Sequence, residues 1–146
     1  MYEILLTTHS WLRWIVVLLL LFVIIRSLTK LQTGSYEKID NILGGSMVGF
    51  FHLQLLLGLV LYIFLSPATQ ASFQDFGAAM KNPNLRFWAV EHSLMMIIAV
   101  VVAQIGRIKI KKAVLEKKQK LTLIYGIITL IFVASRIPWT DIDRLY

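Results

Sequence analysis

The stretch FWAVEHSLMMIIAVVVAQIGR, Phe87–Arg107, decides how this chain is read. From Phe87 to Ile105 it is apolar except for Glu91, His92, Ser93 and Gln104. About 20 apolar residues are what a helix needs to cross the hydrocarbon core of a bilayer. Ionisable groups inside such a segment are costly and persist where they are used. The stretch therefore reads as a membrane span that carries a working carboxylate and imidazole, Glu91 and His92.

Three more apolar segments flank it, at about 4–25, 42–65 and 121–137, beside this one at 87–105. Backbone polar groups have no water partners in lipid, so each segment is expected to be helical. Short connections join such helices as antiparallel neighbours. The expected fold class is all-α: an integral membrane up-down-up-down four-helix bundle, one membrane domain over 1–146. Composition agrees, with 58% hydrophobic and 16% charged residues, against roughly 25% charged in an average soluble domain. There is no cysteine, which excludes disulfides, thiol catalysis and cysteine-held zinc or iron–sulfur clusters. P-loop, dinucleotide-binding, nucleophile-elbow and zinc-protease motifs are absent.

The net charge of +7 is unevenly placed. RIKIKKAVLEKKQK, 107–120, holds seven basic residues and one Glu; Arg26, Lys30 and Lys38 follow the first segment; the loop between segments two and three has only Lys81 and Arg86. The positive-inside rule then predicts a multi-pass protein of the cell inner membrane with both termini on the outer, periplasmic side. Anionic lipid headgroups account for the charge, and nucleic acid is not expected. The first segment lacks the basic flank that opens a signal peptide. Gly34-Ser35, Pro67, Asn82-Pro83-Asn84 and Pro138 mark the turns. FQDFGAAM, 73–80, is expected to form one short surface helix.

Within the spans the polar residues are few: His9 and Arg13, then His52 and Gln54, then Glu91, His92 and Gln104, then Arg136. His9 lies 17 residues from Arg26, and His92 lies 15 from Arg107. At a rise of ~1.5 Å per residue both imidazoles sit ~22–25 Å from the basic face, a shared depth in the outer third, with His52 ~7 Å deeper than His92. Arg13 is one turn from His9, and Arg86 and Arg136 fall near the same outer level. Arg13 and Arg136 are expected to point into the bundle toward one anion. Helical spacing from His92 gives Met95, Met96, Ala99 and Ala103. Gly45 and Gly49 form a GxxxG with His52 beyond. Such small residues either bring helices close or leave room for a flat ligand.

Histidines facing one another across a membrane bundle suit b-type haem, with an imidazole on each side of the iron. His9 with His92 is the first pairing, His52 with His92 the second. Arg13, Arg86 and Arg136 are placed for the propionates, and Glu91 to orient an imidazole or carry a proton. Two other classes stand beside this one. Copper, iron or zinc on His9, Glu91, His92 and His52 is a non-haem metal site. A cofactor-free membrane subunit or assembly factor would use the same groups as interhelical contacts.

HSWLRW (His9–Trp14), HLQLLLGLVLY (His52–Tyr62), RFWAVEHSLMM (Arg86–Met96) and RIPW (Arg136–Trp139) are spread over most of the chain. Through them the chain resembles the small four-helix integral membrane proteins of Bacteroidota commonly labelled "cytochrome b". The resemblance implies haem b and one-electron transfer rather than a stand-alone enzyme. Membrane lipids, a quinone or redox partner protein, and further copies of the chain are the partners that fit it. Three histidines allow one bis-histidine haem per subunit, unless Met, a small ligand or another subunit completes a second.

Overall fold

A computed structural model describes residues 1–139. Among these, all regular structure is helical. The elements are α1 (Tyr2–Thr29), α2 (Lys38–Leu65), α3 (Pro67–Gln74), α4 (Phe76–Lys81), α5 (Pro83–Lys112) and α6 (Leu115–Ser135). Four of them, α1, α2, α5 and α6, are long and apolar enough to cross a membrane. Each starts or ends beyond the apolar run that announces it, because hydropathy marks the hydrocarbon and the helix continues into its polar flanks.

Local chemistry sets the boundaries. After α1 the chain turns at Gly34, whose φ of 63° is left-handed and favours glycine. Glu37 and Asp40 then form a capping box at the start of α2. The Arg26 guanidinium bonds both carboxylates, tying the end of α1 to that cap. Lys30 beside Glu37 holds its carboxyl below the usual carboxylate range. A lowered pKa contributes stability above that range, and the contribution fades as pH falls through the lowered value.

Ser66 caps α3 and Pro67 occupies its first turn. Asp75 breaks the helix expected over 73–80 into two, because its carboxylate accepts from Ala78 N at 2.9 Å and starts α4. Asn82 caps α5 through the amides of Asn84 and Leu85. At the far end, α6 stops at Ser135 rather than at 137, shortly before Pro138, consistent with the bias against helix ahead of proline.

Helix α1 packs on α2 and α6, and α5 packs on α2 and α6. Leu12, Val16, Leu20 and Val23 line the inner face of α1 and meet Met47, Val48, Phe51, Ala99, Val100, Ala103 and Val133. Outward lie equally apolar side chains, with Leu18 66% and Ile131 62% exposed. The α5–α6 contact uses glycine for close approach. A Cβ at Gly106 would fall 2.6 Å from Tyr125 Cβ. Ala103 and Ala99, one and two turns away, are buried, so this small stripe serves helix packing.

At the basic end a buried polar node joins three long helices and a loop. Ser27 Oγ donates to Gln119 Oε1 at 2.8 Å, and Gln119 Nε2 donates to Ser35 O at 2.7 Å and Asp40 Oδ2 at 3.4 Å. Gln119 is 1% exposed. Gln119→Ala strands these buried partners, and unfolding in detergent is expected to become easier by roughly 1–3 kcal/mol. An unchanged unfolding midpoint would show the node to be dispensable.

Candidate functional site

The candidate site lies at the end opposite the basic loops, where two helices are locally widened. His92 N–H donates to Phe87 O and Ser66 N–H to Leu61 O, both i→i+5 bonds in place of i→i+4. Such widened turns occur often at functional sites. Tyr62 OH donates to Ala89 O at 2.7 Å and pins the two turns together.

His92 follows the second of these turns. Its Nδ1 lies 2.8 Å from Arg136 O. A carbonyl only accepts, so Nδ1 carries the proton and Nε2 keeps a lone pair. Phe87 and Trp88 flank the ring, with centroids 5.8 and 5.5 Å away. His9 is held from α2: the Gln54 amide nitrogen lies 3.0 Å from His9 O and 3.2 Å from His9 Nε2. That amide donates to both, which leaves the ring proton on Nδ1, a buried atom without a partner. Gly58 makes room for the ring, since a Cβ there would lie 3.0 Å from His9 Cε1.

Arg13 completes the group. It is 9% exposed, and its Nε and Nη2 are buried without partners. The guanidinium lies 5.2 Å from the Trp14 ring centroid, and Trp14 packs in turn against Trp139. His9, Arg13 and His92 are within electrostatic reach of one another. Glu91 does not serve them. It pairs with Arg86 at 2.8 Å and with Arg136 at 3.5 Å. One carboxylate thus faces two guanidiniums and has nothing left for Arg13.

The expected residues therefore divide. His9, Arg13 and His92 come together. Arg86, Glu91 and Arg136 form an adjacent half-exposed ion triad. Arg136 reaches the site through its backbone carbonyl, and its side chain turns to Glu91 with Nε buried.

His52 stands apart: it is exposed, and its Nδ1 donates to Val48 O of its own helix at 2.8 Å. The His52–His92 pairing is therefore not assembled inside the chain. Gly49, one turn before His52, has no heavy atom within 4 Å, and Gly45 faces Arg107. This GxxxG accordingly meets α5 through the Arg107 side chain at Gly45 alone, and Gly49 has open space before it. Gln54 and Gly58 are site residues that sequence reasoning missed. Their i, i+4 spacing places them on one face of α2, a readable signal, but nothing in the sequence says that this face meets His9.

Haem b fits part of this donor set. His92 has the carbonyl-held Nδ1 and free Nε2 of a metal-ligating imidazole, and Arg13 has unpaired donors for a carboxylate. Against it, Gln54 occupies His9 Nε2, and two hollows at the basic end have no histidine in their walls. No group of three or more His, Asp or Glu among the described residues is arranged to hold a metal ion. Comparison of the chain with known protein families, with characterised proteins and with solved structures finds no match.

Proposed function

We propose that this is a multi-pass inner-membrane protein with an up-down-up-down bundle and both termini on the outer side, and that its His9–Arg13–His92 group binds haem b for one-electron transfer. The observation that carries the reading is Arg13: a buried guanidinium with two unpartnered donor atoms, within electrostatic reach of two imidazoles. Such a group requires an anion, and the arginine fork suits a carboxylate. Haem supplies one-electron redox chemistry and two propionate carboxylates.

The chain's own residues have distinct tasks. His92 offers Nε2, its ring fixed through the Arg136 carbonyl. His9 would be the second ligand only if Gln54 gave up its contact with Nε2. Arg13 holds a carboxylate, while Trp14 and Trp139 shield it. The resemblance to the small membrane proteins labelled "cytochrome b" belongs to this proposal, as does a quinone or redox protein as electron partner.

The test is an absorption spectrum of detergent-purified protein, oxidised and reduced. A Soret band that shifts on reduction is expected. A colourless protein carrying stoichiometric copper, iron or zinc would move the assignment to a non-haem metal site. A colourless, metal-free protein would leave the second reading, a cofactor-free membrane subunit. The Arg86–Glu91–Arg136 triad and the Gln54–His9 contact favour that reading, as polar contacts between packed elements. Topology has its own check: a reporter fused to the C-terminus is expected to be active on the periplasmic side, and cytoplasmic activity overturns the orientation.

A further inference from the structure

The basic end holds a second unpaired guanidinium, and it faces the larger hollow. Arg107 Nη2 donates to Asn41 O at 3.0 Å and Asn41 Oδ1 at 2.8 Å, whereas buried Nη1 has no carboxylate or carbonyl partner and the Tyr36 hydroxyl lies near the guanidinium. No carboxylate among the described residues pairs with Arg107; Asp40 and Glu37 are taken by Arg26 and Lys30. Gly44 and Gly45 form a floor for the guanidinium, with ideal Cβ positions 3.4 Å from Nη1 and Nη2.

A narrow hollow opens from there toward the surface. Tyr36 and Thr122 join Arg107 in its wall, and Val23, Met47 and Ala103 make the rest apolar. Lys118 sits over the Tyr36 ring at 5.2 Å and Lys109 over the Tyr125 ring at 5.7 Å. One unpaired cationic donor, hydroxyls beside it, lysines around it and an apolar wall together match an amphiphile with an anionic head. Neither a soluble anion nor a neutral lipid uses all four features.

We infer that this hollow is a binding site for an acidic phospholipid, with the headgroup phosphate on Arg107 Nη1 and adjoining hydrocarbon against Val23, Met47 and Ala103. Arginine binds phosphate in a planar, charge-assisted contact. The haem assignment plays no part in this inference.

The experiment uses the full chain in detergent. Binding of phosphatidylglycerol, phosphatidylcholine and inorganic phosphate is compared by native mass spectrometry and thermal shift. Phosphatidylglycerol is expected to bind at one site and raise the melting temperature, whereas phosphatidylcholine and inorganic phosphate do neither. Arg107→Gln is expected to weaken phosphatidylglycerol binding roughly ten- to a hundred-fold, the effect of losing a hydrogen bond to a charged group.

A second measurement avoids any folding defect in the variant. Phenylglyoxal labelling of Arg107 in the unaltered protein is expected to slow in phosphatidylglycerol and not in phosphatidylcholine. Equal response to the two lipids, unchanged binding by Arg107→Gln, or full replacement by inorganic phosphate overturns the assignment. The last of these outcomes would mark the hollow as a site for a soluble anion.

Discussion

If the chain holds haem as proposed, replacing His92 by Ala is expected to remove the low-spin haem spectrum of the purified protein, while His52→Ala is expected to leave haem occupancy at the wild-type level. The two imidazoles differ in placement. His92 has its Nδ1 fixed on the Arg136 carbonyl and lies within reach of Arg13, whereas His52 is exposed and bonded to its own helix. In the proposed haem site the substitution would remove an iron ligand that no neighbour replaces: among the described residues His9 is the only other imidazole near the site. Haem per protein, taken from reduced-minus-oxidised spectra, is the readout. Far-UV circular dichroism separates loss of haem from loss of fold, and added imidazole is expected to restore part of the spectrum. Full haem retention in His92→Ala would sink the assignment, and haem loss in His52→Ala would move the site to the outer face of α2.

Gly106→Ala is expected to destabilise the bundle by roughly 1–3 kcal/mol, the usual cost of forcing extra atoms into a packed core, and Gly49→Ala is expected not to. At Gly106 the added methyl meets Tyr125 Cβ and Cγ at 2.6 Å. Those atoms sit too close to the backbone to swing aside, so α5 and α6 must separate. At Gly49 nothing lies within 4 Å, and alanine there gains up to about 1 kcal/mol of helix propensity. Unfolding of both variants in mixed micelles measures the difference. Equal stabilities would mean that α5 and α6 do not approach through Gly106.

How much of this was legible follows from what hydropathy and spacing encode. The four long helices are written in apolar runs of sufficient length, and their breaks in Gly34, Pro67, Asn82-Pro83 and Pro138. The short helices are less visible, because Asp75 acts through one side-chain bond to Ala78 N that composition does not reveal. The shared level of His9 and His92 follows from counting residues back to the basic flanks. The alignment of Gln54 with His9 does not, since it depends on how α2 slides against α1.

By itself, then, the sequence determined the number of long helices, their approximate ends, the concentration of positive charge at one end and the short inventory of groups able to bind an ion. Only the tertiary structure decided which way each helix faces. In a chain apolar on nearly all sides, Leu20 and Leu18 carry the same side chain, yet one is 0% and the other 66% exposed. Lipid is as apolar as a protein core, so hydrophobicity does not distinguish the two faces. Close packing decides instead, through Gly58 against His9 and Gly106 under Tyr125. That choice of faces brings His9, Arg13 and His92 together, gives Glu91 to Arg86 and Arg136, and turns His52 outward.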